Sequence, residues 1–201
     1  MNPIIRTKTT VSLLAAAFAL ISLNSLGQSH YTLSGKSSIS VSGTSTMHDW
    51  TMKSEKASYD AVFETNPQGN PMELTSLSLL VPAESLKSGK GGMDKNAYAA
   101  LKTDKYKQIT FQLTSAKIDD KTIRCQGSLT IAGTTKQIDI EATYTISPNG
   151  LIQCKGSKKL TMTDYNVEPP SFMFGSVTTG NEITVSFDVS LAPKTQPVTL
   201  N

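Results

Sequence analysis

Strict alternation of apolar and polar residues is the feature that most limits what this chain can fold into. In "ITFQLTS", Ile109, Phe111 and Leu113 fall on one face and Thr110, Gln112 and Thr114 on the other. "TIRCQGSLTI" sends Ile123, Cys125, Gly127, Leu129 and Ile131 one way. "QIDIEATYTI" does the same with Ile138, Ile140, Ala142, Tyr144 and Ile146, and "EITVSFDVSL" with Ile183, Val185, Phe187, Val189 and Leu191. A period of two is the spacing of a strand with one apolar and one wet face, the antiparallel pattern rather than the continuous apolar run of a parallel sheet. Turn signals separate the runs: "AGTTK", "SPNGL" with its Asn149-Gly150 pair, and an earlier "ETNPQGNPM". The pattern predicts about eight strands, near 37–44, 47–55, 56–65, 73–82, 108–118, 121–131, 136–147 and 151–163, with a last one at 181–191. The stretch 47–65 can also run as one long bent strand. So many one-faced strands must stack as a sandwich or close on themselves, and closure also removes exposed edges.

Two segments break the alternation. "MDKNAYAALK" spaces Met93, Ala97 and Leu101 at helical intervals with Tyr98 beside them, which predicts a short helix over 94–102 packed on the sheet. "VEPPSFMFGSVTTG", 167–180, carries Pro169-Pro170 and three large apolar residues, Phe172, Met173 and Phe174. It is expected to fold as a loop over one end.

The first 27 residues read as a leader. Arg6 and Lys8 precede the apolar Val11–Ile21 run, and Ser25-Leu26-Gly27 offers small residues for cleavage before Gln28. An uncleaved anchor helix is the alternative. The remainder, 28–201, suits one domain. Subtracting Arg6 and Lys8 takes the formal net charge from +3 to +1, so a nucleic-acid groove, which needs clustered Lys and Arg, is not expected. Lys158-Lys159 reads as solvated surface. No other segment is apolar enough to span a membrane, and a homodimer is compatible with the sequence.

Cys125 and Cys154 lie on the outer strands of a three-strand meander. With a whole strand between them their Cα atoms should be about 9–10 Å apart, beyond the roughly 7 Å limit of a disulfide. Both are expected to be reduced and to face inward. Cys125 should pair near Ala142 and Cys154 near Tyr144.

The chemistry-bearing residues are few. "TSTMHDW" holds the one Trp and one of two His residues. His48 and Asp49 are neighbours in sequence, so on a strand they point to opposite faces, and Asp49 is poorly placed to orient His48. His30 is expected to fray beside the new N-terminus. Met47, His48 and Met52 are a thin set for a soft metal ion, and two His with two Cys match no zinc spacing. "SGKGG" lacks the first Gly and the Ser or Thr of a phosphate loop. No catalytic residue, metal or cofactor is therefore expected. What remains is the interior of the sheet. Small residues at Ala57, Ala61, Gly127, Ala142 and Gly156 should leave room there, and Tyr59, Phe63, Phe111, Tyr144 and Phe187 should wall it. Trp50, Tyr98, Leu101, Phe172 and Phe174 are expected at the mouth or lid. An apolar pocket of this kind suits an apolar chain. A ten-carbon tail gains about 8 kcal/mol gross on burial, enough for micromolar binding after association costs.

Four stretches resemble the YceI-like domain family: "SGTSTMHDWTM", "VPAESLKSGKGGMDKNAYAALKTDKYKQITFQL", "GSLTIAGTTKQIDI" and "KLTMTDYNVEPPSFMFGSVTTGNEITVSF". The resemblance covers roughly 31–191. It implies an all-β, eight-stranded antiparallel lipocalin-like barrel with one helix near the mouth. It also implies export to the periplasm or outside the cell, and binding of an isoprenoid or other amphiphilic lipid rather than catalysis. The "TMTDYNVEPPSF" segment departs from the Arg-x-x-Phe-Gly usual there, so ligand identity does not transfer. Two other readings stay open: a dry structural or interaction barrel, and an enzyme using His48.

Overall fold

The computed structural model describes residues 27–194 apart from Lys36, Gly69 and Met173. The expected leader lies outside this range except for Gly27, as does Met173 of the expected lid.

Eleven strands appear among the described residues: β1 (Gly27–Leu33), β2 (Ser38–Ser45), β3 (Trp50–Ser54), β4 (Ser58–Thr65), β5 (Pro71–Pro82), β6 (Gln108–Asp119), β7 (Thr122–Ile131), β8 (Thr134–Ile146), β9 (Ile152–Thr161), β10 (Ser171–Phe172) and β11 (Val177–Pro193). All pairings are antiparallel. The sheet runs β1-β4-β5-β6-β7-β8-β9-β11-β2-β3, and a β1–β11 pairing closes it. The β1–β2 and β3–β4 segments each act as one barrel strand bent in the middle. The first bend is tied to β11 by Ser34 N–H donating to Ser190 O at 2.8 Å and by Ser190 N–H donating to Ser37 Oγ at 3.0 Å. Counted this way the barrel has eight staves, and the expectation of a bent strand over 47–65 holds.

The turns follow from local chemistry. Ala132 and Gly133, both at positive φ (47° and 78°), make the two-residue hairpin that joins β7 to β8. The Tyr106 ring lies over Gly133, where a Cβ would collide with it. Gly150 at φ 78° closes the β8–β9 turn, its N–H donating to Ser147 O at 2.8 Å.

Several boundaries differ from the sequence reading. β1 was not expected, and His30 is not frayed: it pairs with Val62 of β4, and its carbonyl accepts the Lys194 N–H at 2.7 Å. The β2–β3 connection takes Thr46–Asp49, so β3 begins only at Trp50. Ala57 lies in the β3–β4 connection rather than on an inward face. β11 begins at Val177 and pairs with β10, so the long 167–180 segment is in part a short hairpin. The helix, α1, spans Gly91–Leu101 and so includes the two glycines. Asp94 in its first turn accepts the Ser88 N–H (2.7 Å) and hydroxyl (2.6 Å), which fixes the lead-in loop to the helix. These Ser88 hydrogen bonds, the hydroxyl's first, hold the Asp94 carboxyl below its usual range.

The core runs the length of the barrel. Ala61, Phe63 and Ile152 are fully buried at one end, with Tyr31 and Leu191 beside them, and Ile131, Met162, Tyr165 and Val167 are buried toward the other. The Tyr31 and Phe63 rings meet edge to face with centroids 5.2 Å apart. Near the opposite end stand α1, a 3-10 turn over Met162–Tyr165, the β2–β3 connection and β10.

Candidate ligand cavity

Inward alternation leaves a cavity of about 500 Å³ inside the barrel, within the few-hundred to ~1,000 Å³ range of small-molecule sites. At its base it is lined by buried Phe63, Leu74, Ile123 and Leu191. At the other end the lining runs out to Met47 (63% exposed), His48 and Lys90, so the cavity opens there. Leu101, Ala97 and Met93 of α1 form one side of the mouth, and Pro170 and Phe172 another.

Seven of the ten residues expected to meet a ligand line this space: Trp50, Tyr59, Phe63, Leu101, Phe111, Phe172 and Phe187. The Trp50 indole N–H donates to the Thr44 carbonyl at 3.0 Å and its ring lies over Gly43, its direct cross-strand partner. It forms part of the wall at the mouth. The other three lie elsewhere. Tyr98 turns sideways from α1, with its hydroxyl 2.9 Å from Glu84 O and 2.8 Å from Leu86 O, and so straps the helix to the chain before it. Tyr144 has the inward parity but sits beside the Asp120–Lys121 turn, its N–H donating to Lys121 O at 2.8 Å, past the cavity floor. Phe174 is at the tip of the turn after β10 with φ 56° and is fully exposed, because a left-handed residue at a hairpin tip turns its side chain outward.

The expected small-residue space is partly taken. A Cβ on Gly127 would collide with the Phe111 ring, and one on Gly156 would lie 2.5 Å from Phe187 Cζ. The two glycines seat two rings rather than leaving voids, an aromatic-over-glycine pairing across strands.

Polar groups on the wall are sparse. The Tyr59 and Tyr165 hydroxyls are buried and have no hydrogen-bond partner among the described residues. Burial, and then the nearby Cys154, push the Tyr59 phenol up. Cys125 and Cys154 both line the cavity as free thiols, raised to about 11 and about 12, each by burial first. The meander order is as expected: Cys125 pairs with Ile140, two residues from Ala142, and Cys154 with Tyr144. Unfolding without reductant should therefore expose two free thiols to a thiol reagent, and finding none would break the meander. Stability should fall as pH rises from about 9, where the unfolded thiols ionise, toward about 12, where the folded ones follow. A Cys125→Ala/Cys154→Ala variant, compared by denaturant melts across this range, should lose that part of the decline.

Residues missed from the sequence also stand here. Tyr165 and Met162 belong to the 3-10 turn. Lys158, read as surface, is half-buried on the cavity wall, whereas Lys159 is exposed. Its parity with Cys154, Gly156 and Leu160 is the signal that would have found it.

No nucleophile–base pair is assembled around His48. The Ser45 hydroxyl donates to the His48 carbonyl (2.7 Å), and the imidazole Nδ1 contacts the Asp49 carbonyl (2.8 Å) rather than its carboxylate. Met47 and His48 are exposed while Met52 is buried on β3, and no cluster of three or more His, Cys, Asp or Glu suited to a metal occurs among the described residues. No helix among them is long and apolar enough to cross a membrane.

The model of the YceI-like domain matches residues 29–191, most of the chain. The protein belongs to the YceI-like domain family. Solved structures agree on the YceI-like fold. BcnA of Burkholderia cenocepacia superposes with a TM-score of 0.65 at 16% identity, over 78% of this chain and 96% of that one. A polyisoprenoid binding domain from Saccharophagus degradans, implicated in plant cell wall breakdown, gives 0.63 at 14% identity over 82% and 98%. The Campylobacter jejuni YCEI protein gives 0.54 at 22% identity over 69% and 82%. No curated protein matches the sequence.

Proposed function

We propose that this YceI-like protein is a non-catalytic carrier that holds a single apolar chain, isoprenoid or acyl, inside its barrel and works outside the cytoplasm. One observation carries the reading: the cavity wall is overwhelmingly apolar, with Lys158 and, at the mouth, Lys90 as its charged residues and no Asp or Glu among the described lining residues. Such a wall excludes water and gains about 0.8 kcal/mol gross for each methylene it covers. The buried Tyr59 and Tyr165 hydroxyls supply two donors for an acceptor on the ligand. A polyisoprenoid binding domain among the structural relatives supports the same reading, and the leader-like first 27 residues support export. A dry barrel is disfavoured by the size of the cavity, and an enzyme by the bonding of His48.

Phe172 reaches the cavity from β10, so the 167–180 segment should act as a lid. Hydrogen exchange read with and without dodecanol should show its amides slowing when the alcohol binds. Binding with the segment indifferent would place the entry elsewhere, and no binding at all would remove the carrier reading.

A further inference from the structure

The ladder between β8 and β9 is shorter than the strands it joins. It runs from Ile146↔Ile152 to Ala142↔Gly156 and stops, although β8 begins at Thr134 and β9 continues to Thr161. Beyond the last pair, residues 134–141 of β8 keep only their β7 partners and residues 157–161 of β9 only their β11 partners. Five residues at about 3.3 Å each leave roughly 16 Å of unladdered wall. The far end is crossed by Asn166 Nδ2 donating to Thr134 Oγ1 at 2.9 Å. The barrel wall therefore has a window in its backbone ladder, which runs up to the 3-10 turn at the mouth end.

Lys158 stands in this window. It has the inward parity of β9, is half-buried, and lines both the internal cavity and a groove on the outer face of β6–β9. None of the ion pairs among the described residues includes it. Of the two carboxylates on the β8 rim of the groove, Glu141 is held by Arg124 Nε at 3.1 Å and Asp139 is exposed. Inside, the cavity offers no carboxylate to neutralise an ammonium. A cation with an apolar chamber on one side and water on the other matches an amphiphile whose head is an anion.

We propose that Lys158 is the head-group site. A carboxylate or phosphate rests in the β8–β9 window on the Lys158 ammonium, and the chain attached to it lies in the barrel. The proposal rests on the carrier reading above. The competing account is that Lys158 only lays its stem along apolar surface and leads its charge out to water.

Calorimetric titration of the full protein with dodecanoate, dodecyl phosphate and dodecanol separates the two. Lys158→Met should weaken the anions about tenfold or more and leave dodecanol within about twofold, since a hydrogen bond to an ion is lost and the chain contacts are kept. Lys158→Arg should retain anion binding, and Lys159→Met, on the wet face of the same strand and outside the cavity, should change nothing. A response confined to one anion supports the site and names its head group. Equal losses for the anions and the alcohol, or no loss for either anion, overturn the proposal. So does an anion loss on Lys159→Met as large as that on Lys158→Met. If the unaltered protein binds dodecanol but neither anion, the carrier reading stands and the head-group site falls. If it binds none of the three, both fall.

Discussion

Phe187→Asp is expected to cost at least about 4 kcal/mol and, in a barrel of ordinary stability, to leave little folded protein. Phe187 lies between Ile39 of β2 and Gly156 of β9, with its ring over the glycine and on the cavity wall. A carboxylate there finds no cation among its cross-strand partners. Its neighbour on the wet face is the control. Asp188 accepts from Gln153 Nε2 at 3.0 Å and pairs with Lys155 at 3.0 Å, with its side chain 43% exposed. Burial alone would raise its pKa; the Gln153 and Lys155 contacts outweigh that and lower it. A lowered carboxyl stabilises above its unfolded pKa, and that small contribution fades as pH falls through the folded one. After solvent screening, Asp188→Ala should cost less than about 1 kcal/mol at neutral pH. Denaturant melts of the two variants test this, and equal effects would mean that the register of β11 is wrong.

Gly156→Ala should cost about 1–3 kcal/mol although it adds one methyl group. A Cβ at this position would lie 2.5 Å from Phe187 Cζ and also 2.5 Å from the Glu141 carbonyl oxygen. The ring can be removed and the carbonyl cannot. Adding Phe187→Ala should thus recover only part of the strain, and the two changes should be non-additive because they share one space. Full recovery in the double variant would show that the ring alone sets the packing. An unaffected single variant would show that β8 and β9 are looser here than the structure has them.

Where each strand faces was legible in the sequence, because parity needs no knowledge of partners. β7, β9 and β11 follow their alternation, as do β6 up to the bulge after Leu113 and β8 short of the exposed Ile146, and the reduced thiols followed from strand order alone. β1 was not legible: it offers only Tyr31 and Leu33 as apolar residues, and its partners β4 and β11 are distant in sequence. Parity also gives a face but not a height along the barrel. Tyr144 therefore has the right face and lies past the cavity floor, while Tyr98 is drawn aside by two carbonyls. Phe174 was misplaced because a hydrophobic residue at a hairpin tip obeys the turn rather than the core. Lys158 was misplaced for the opposite reason: its charge was weighed and its parity was not. The window that gives that lysine its setting arises from where a ladder stops, and nothing in the alternation of β8 or β9 marks that point.

Native mass spectrometry of the protein purified from its own host, followed by lipid extraction, tests the central claim most directly. The account predicts a bound species that adds the mass of one amphiphile and releases a prenyl or acyl chain on extraction. A protein that flies at the mass of its chain alone, and that takes up no dodecanol when offered it, would contradict a barrel built to carry lipid.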